Sequence, residues 1–289
     1  MIDFLQHILN GITSGCVLAL AALGLTLAFG ISRFANVAHG DYVTLGAFFA
    51  LIANQALGWN LFLSGLVGIL GCTVVGYAFY YFVFRPLDRR PKIASVIASI
   101  GVALVVRHAV LFIWGTEQHS YHVVIQRGIR FLGLRMTKNE MMILLTSFVL
   151  MFIIHVILQQ TRIGKEMRAV SDDPDLAKVT GIEIFKVTGV MWGLTLSLAA
   201  VAGLLLGLKT IITPYMGWDL LLSAFAAAIL GGIGNPYGAM AGAILIGISE
   251  ELSTMVFPPS YRTAIAFIIM IFTLLLRPSG IFGQRIEVK

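Results

Sequence analysis

The chain has 289 residues, 58% of them hydrophobic and 12% charged, with a mean hydropathy of +0.91. That is far more apolar and less charged than a soluble domain of average usage, so an integral membrane protein in contact with lipid is expected. A formal net charge of +6 would suit a nucleic-acid binder, but the Lys and Arg residues sit in short loops between apolar runs, not on one amphipathic face. No nucleic acid is expected as a partner.

The opening "MIDFLQH" lacks the basic n-region of a signal peptide and its apolar run continues to spanning length, which predicts a retained helix. A spanning helix needs about 20 mainly apolar residues. Such runs lie at Leu5 to Phe29, Tyr42 to Leu57, Leu61 to Phe84, Ile93 to Trp114 and Met141 to Leu158. Four more follow, at Thr188 to Ile212, Leu220 to Ile233, Tyr237 to Val256 and Thr263 to Leu276. The predicted fold class is all-α, a polytopic transmembrane helix bundle forming one domain over residues 1–289, with eight or nine spans because the seventh run is short. Cys16 and Cys72 fall inside apolar runs without ligand spacing and read as small packing residues.

With "RPLDRRPK" (Arg85 to Lys92) on the cytoplasmic side and nine alternating spans, Arg33, Arg85, Arg89, Arg90, Lys92, Arg162, Lys165, Arg168, Lys178, Lys186, Arg277, Arg285 and Lys289 are cytoplasmic. Only Arg127, Arg130, Arg135, Lys138 and Arg262 lie outside. The bias predicts an N-out, C-in topology, with an external loop at about 115–140 and a cytoplasmic loop at about 161–187. The pairs Gly11 and Gly15, Gly203 and Gly207, and Gly238 and Gly242 each form GxxxG, which lets backbones approach, either within the chain or against a partner subunit.

No HExxH, GxSxG or GxxxxGK[ST] occurs, and "AHG" before Asp41 is not the paired-aspartate pattern of an intramembrane protease. No catalytic residue, metal site or cofactor is therefore expected in this chain, and any nucleotide-driven work falls to another protein. Arg107 and His108, about 21 Å along their helix from Ile93, are expected to snorkel to the outer interface, and Lys209 to do the same at its helix end. Glu250 and Glu251 point about 100° apart on a helix and cannot share a cavity. They are candidates for a subunit contact, the alternative being a solvated helix end.

In "SRFANVAHGDYVTLGAF" (Ser32 to Phe48), Asn36 suits an N-cap, with Val37 to Asp41 as a first turn whose carboxylate complements the helix dipole. Equally, Asn36, His39 and Asp41 are candidates for an inner gate or for contact with the loop at Thr161. "GGIGNPYGAMAG" (Gly231 to Gly242) contains the helix breakers Gly231, Gly232, Gly234 and Pro236 beside Asn235. It is either a tight inner turn or a re-entrant element of a translocation path.

The most distinctive stretch is "TRIGKEMRAVSDDPDLAKVTGI" (Thr161 to Ile182). Ile163, Met167 and Val170 recur at helical spacing, with Arg162, Lys165, Glu166 and Arg168 on the other faces. Asp173 then serves as N-cap, Pro174 as first helical residue, Asp175 as first-turn acid and Gly181 as terminator, so a helix, a corner and a second short helix are predicted. The apolar stripe either lies on the membrane interface or the chain's own spans, or inserts into a groove on a soluble partner, with an ATPase the natural candidate.

This stretch resembles the coupling loop of permease subunits from ABC importers of the branched-chain amino acid family, with Gly164, Arg168, Ala169, Asp173, Pro174, Ala177, Gly181 and Ile182 matching its pattern. "GLTLAFGISRFANVAHGDYVTLGAF" and "GGIGNPYGAMAGAILIG" resemble that family's other blocks, so the likeness runs from Gly24 to Gly247. Length and organisation are similar to the H-type subunit of the leucine, isoleucine and valine importer. The resemblance implies half of a heterodimeric pore in a bacterial inner membrane, paired with a homologous permease. Two cytoplasmic ATPases would bind ATP and Mg and engage Gly164, Lys165, Glu166, Met167, Arg168, Ala169 and Val170, and a periplasmic or extracellular solute-binding protein would deliver the solute. Apolar spans agree with a neutral zwitterion bearing an apolar side chain, and equally with urea or a short amide. Two readings from other classes are an H⁺- or Na⁺-coupled carrier using Asp41, Glu250 or Glu251, and a non-transporting membrane scaffold.

Overall fold

The computed structural model describes residues 2–88, 90–123, 128–131, 133–277 and 279–283. Among the basic residues that set the predicted orientation, Arg89, Arg127, Arg285 and Lys289 lie outside them. Helix α1 (Ile2–Ser32) leads to α2 (Ala38–Gln55); α3 (Leu61–Phe79) runs through a π-turn (Tyr80–Phe84) into α4 (Arg85–Leu87), and α5 (Lys92–Trp114) follows. A hairpin of β1 (Ile129–Phe131) and β2 (Leu134–Met136) precedes α6 (Lys138–Gln160), α7 (Arg162–Asp172), α8 (Pro174–Val179) and α9 (Ile184–Lys209). The chain closes with α10 (Met216–Gly231), α11 (Pro236–Ser253) and α12 (Arg262–Leu276).

Among the described residues six helices are long and apolar enough to cross a membrane: α1, the continuous Leu61–Leu87 helix, α5, α6, α9 and Pro259–Leu276. The runs predicted at Tyr42, Leu220 and Tyr237 fold as helices outside that set, α10 because it has only 16 residues and α2 and α11, of 18 each, because polar residues such as His39, Asp41, Glu250 and Glu251 lower their hydropathy. Alpha helix is not the whole story either, because the loop predicted at 115–140 holds the β hairpin, turning at Gly133 (φ +85°). Arg135 and Gln6 exchange two hydrogen bonds of 2.8 and 2.9 Å, which fastens the hairpin to the start of α1.

Burial makes α1 the axis: 78% of its apolar window is inside the protein, against 28% for α5 and α6 and 6% for α12, which is peripheral. Helix α11 runs antiparallel along α1, with Gly11 against Ile248 and Gly15 against Ile244. The other two GxxxG pairs also pack within the chain, Gly203 on Val43, Gly207 on Ile212, Gly238 on Gly231 and Gly242 on Ala227. Small residues allow these backbones to meet where lipid gives no hydrophobic drive for helix association. One end of the bundle therefore carries the start of α1 and the hairpin; the other carries the end of α1, α7, α8 and the α10–α11 turn.

Two helices start inside the bundle. Arg33 turns the chain at the end of α1 with a left-handed φ of 55°, and an irregular segment then climbs back so that His39 meets Ala21, about 16 Å up α1 from Ser32. Val37 N–H donates to Ser99 Oγ (3.1 Å) and Ala38 N–H to Asn36 Oδ1 (3.1 Å), satisfying the buried backbone there. The first helical residue is Ala38, one later than predicted. From the other side, residues 210–215 descend from α9, bridged through Ile212 to His119, until Gly217 N–H donates to Thr44 Oγ1 at 3.0 Å. The two starts cross at Gly40 and Gly217, where a Cβ on Gly217 would lie 1.9 Å from Gly40 O.

No side chain fits that crossing without moving a backbone. Gly217→Val is expected to destabilise the protein by about 1–3 kcal/mol or more, measured as a lower melting temperature in detergent, with Gly217→Ala intermediate. A wild-type melting temperature for both variants would contradict the crossing.

Candidate functional site

The polar cap at the α7–α8 end is built from local sequence. Thr161 Oγ1 accepts the Gly164 N–H at 3.1 Å to cap α7, and Asp173 Oδ1 accepts from Asp175 and Leu176 to cap α8, with Pro174 at its first position. Gly181 (φ +86°) ends the second helix. Gly164 is pressed on the last turn of α6; a Cβ there would lie 2.1 Å from Ile157 O.

Met167 and Val170 are buried in the chain's own bundle, and Ala169 is half-buried beside them. The apolar stripe thus holds α7 to the spans and is not presented to a partner's groove, which corrects the groove-insertion alternative. Burying two apolar side chains here contributes about 1.5–3 kcal/mol each, more than any interface with water would. What faces outward is Arg162, Lys165 and Arg168 on α7 and, on α8, Leu176 (61% exposed) and Val179 (85% exposed). The Arg162–Glu166 pair at 2.9 Å sits on this exposed face, where an ion pair adds little.

Three bonds fasten the cap to α1: Ser171 Oγ donates to Gly30 O (3.0 Å), and Arg33 Nη2 donates to Ser171 O (3.2 Å) and Asp172 O (3.4 Å). A second link runs from Arg168 Nη1 to Gln159 Oε1, then from Gln159 Nε2 to the Tyr237 hydroxyl at 3.0 Å, at the start of α11. Sequence reading missed Gly30, Arg33, Gln159, Ser171, Leu176, Val179 and Tyr237. The bonds of Gly30, Arg33, Gln159, Ser171 and Tyr237 run through backbone oxygens or between distant helices, which leave no motif.

Asn36, His39 and Asp41 are brought together, but inside the bundle, each 1% exposed. His39 donates Nε2–H to Ala21 O at 3.0 Å, and Asp41 accepts from Arg107 Nε at 2.9 Å and Nη2 at 3.0 Å. The expected contact with the Thr161 loop is made instead by Gly30 and Arg33. Arg107 does not snorkel, because a bidentate acid within reach satisfies its guanidinium inside, and the face of Trp218 covers it at 4.7 Å. An arginine fifteen residues into an apolar helix was the available sign that an acid had to be near. Lys209 also turns inward, donating to Asn10 O and Ser14 Oγ.

Gly231, Gly232 and Asn235 form a tight turn. Asn235 Oδ1 caps α11 by accepting from Tyr237 and Gly238, its Nδ2 donates to Phe282 O (3.0 Å), and Gly232 adopts φ +103° against Gly283. Glu250 accepts from Ser223 at 2.6 Å and Glu251 pairs with Arg262 at 2.9 Å, so both carboxylates have partners within the chain. Among the described residues no three His, Cys, Asp or Glu side chains cluster at metal-holding distance.

A family model described as the permease component of branched-chain amino acid transport systems matches residues 7–274. The chain belongs to that permease family. It is 30% identical over 97% of its length, and 96% of the relative's, to the high-affinity branched-chain amino acid transport system permease protein LivH of Escherichia coli. It is 29% identical, with the same coverage, to BraD of Pseudomonas aeruginosa, which carries the same description. In fold it resembles PsaBC from Streptococcus pneumoniae, with a TM-score of 0.53 at 13% identity over 96% of this chain and 92% of that one. As a member of this family, with six apolar helices of spanning length among the described residues, it is a multi-pass membrane protein.

Because Asp41 is 1% exposed and Arg107 12%, breaking their pair leaves a charge stranded. Arg107→Met alone is expected to cost about 3–5 kcal/mol, and Arg107→Met with Asp41→Asn to recover most of it. Denaturant unfolding of the two variants in detergent checks the recovery.

Proposed function

We propose that this chain is one permease subunit of an ATP-driven importer that carries leucine, isoleucine and valine across a bacterial inner membrane by alternating access. The observation that carries the proposal is the family match over residues 7–274, together with near-complete coverage of relatives named as branched-chain amino acid permeases. Its partners are a homologous second permease completing the pore, two cytoplasmic ATPases that bind ATP and Mg, and an external solute-binding protein. The subunit itself does no covalent chemistry.

A nine-pass, N-out, C-in arrangement is the topology that fits best. It is supported by the alternation of helices between the two ends of the bundle and by the basic residues Arg33, Arg85, Arg90, Arg162, Lys165 and Arg168 at the α7 end. The ATPases dock on α7 and α8, whose outward face combines cations with the exposed Leu176 and Val179. Their movement reaches the pore through the Ser171–Gly30 and Arg33 clamp on α1 and through the Arg168–Gln159–Tyr237 link to α11. Alternating access then follows as helices shift against one another around α1. Carriage of urea or a short amide fits the apolar spans but not the names of the relatives. Coupling to H⁺ or Na⁺ through Asp41 or Glu251 is disfavoured by their Arg107 and Arg262 partners.

Leu176→Asp with Val179→Asp is expected to lower ATP-dependent leucine uptake in vesicles about thirtyfold, as for an interface hot spot, and to reduce co-purification of the ATPases. Gly164→Pro, which removes the cap bond and strikes α6, is expected to do the same while the spans remain folded. Wild-type uptake by both proteins would remove the docking role of the cap.

A further inference from the structure

Apart from the cap and the Asp41–Arg107 pair, a second group of charges lies at membrane depth. A cavity of about 320 Å³ opens between α1, residues 210–215, the first turns of α10 and the α11–α12 junction, and its walls carry Lys209, Asp219, Glu250 and Arg262. Two of these charges are already answered. Arg262 pairs with Glu251, and Glu250 is tied to Ser223.

Lys209 and Asp219 are not. The Lys209 ammonium is held only by the neutral oxygens of Asn10 and Ser14, with no carboxylate at ion-pair distance among the described residues. The Asp219 carboxylate is exposed and makes neither a hydrogen bond nor an ion pair among the described residues. An unanswered charge within a bilayer is costly unless water or a ligand meets it. The irregular 210–215 segment points the same way: Ile211 and Tyr215 are about half exposed, and open backbone at this depth is tolerated only beside protein or a watery cavity.

Apart from these charges the wall mixes apolar side chains, Leu18, Leu206 and Leu220 among them, with hydroxyls such as Ser14, Thr213 and Ser223. A pocket with one unpaired cation, one unpaired anion and a partly apolar lining, at the small end of the roughly 300–1,000 Å³ range of ligand sites, has the chemistry of a receptor for a small amphiphilic zwitterion. Lys209 also borders a wider cleft of about 890 Å³ at the hairpin end, beside Tyr121 and Glu140.

We infer that this cavity is a stop on the translocation path where Lys209 takes the carboxylate of an α-amino acid and Asp219 its ammonium, with the side chain against Leu18, Leu206 and Leu220. The site deepens the importer function proposed above and rests on it. It also distinguishes a zwitterion from an uncharged amide, which would leave both charges unanswered.

The test uses the full complex, both permeases, ATPases and binding protein, in proteoliposomes, with radiolabelled leucine and acetamide offered in parallel. Asp219→Asn and Lys209→Met are each expected to lower the leucine taken up per ATP hydrolysed about tenfold, the scale of losing one charged partner, and Asp219→Glu to restore it. If the wild-type complex carries leucine and both variants keep its ratio, the site is overturned and the importer function stands. If the wild type carries acetamide and not leucine, both fall together. Should Asp219→Asn fail to assemble, Lys209→Met and Asp219→Glu decide the matter.

Discussion

The crossing of Gly40 and Gly217 is the constraint on which the interior depends. Two helices begin at membrane depth because irregular segments carry the chain to them from opposite ends, and they can touch only where neither has a side chain. Each brings an acid in its first turn, Asp41 and Asp219. Asp41 is taken up by Arg107, while Asp219 faces the cavity beside Lys209. The bilayer would penalise Asp41 or Arg107 alone, and the crossing places the acid where the guanidinium meets it.

From that centre the structure divides its work. The core is dense and apolar around α1, with Cys16, Leu20, Leu23 and Trp192 fully enclosed. A π-turn at Tyr80–Phe84 adds to it by turning Tyr80 and Phe84 onto Trp192, at 5.3 and 4.9 Å between ring centres, with Phe34 of the ascending segment stacked behind. Helices α5, α6 and α12 are mostly exposed on the outside, where lipid or another subunit can cover them. The polar cap hangs from this body by short hydrogen bonds and a buried methionine, which makes it a lever and not a separate domain.

Much of this was legible in the sequence where local rules decide. The cap at Asp173, the terminator Gly181 and the tight turn at Asn235 follow from contacts within two or three residues, and the cap at Thr161, which the sequence reading did not name, obeys the same rule. The family blocks located the same regions. What sequence periodicity could not show was that α2 and α10 begin inside the bundle, since the segments leading into them read as ordinary loops. Depth was misjudged for the same reason: Asp41 lies only nine residues beyond Ser32, yet the chain doubles back in between. The direction of the α7 stripe was likewise ambiguous, because the same heptad-like spacing serves a helix facing its own bundle or a partner. The partnership of Arg107 with Asp41 joins residues far apart in the chain, which periodicity alone does not pair.

Gln6 and Ser171 hold opposite tips of one helix. The hairpin is fastened to the first residues of α1 and the cap to its last, with an unbroken rod of 31 residues between, about 46 Å long. Were proteins to bind at both tips, any coupling that the rod carries would have to act in both directions. Whatever a protein seated on the hairpin does to the affinity of the cap for its ligand, occupancy of the cap must do, by the same factor, to the affinity of the hairpin.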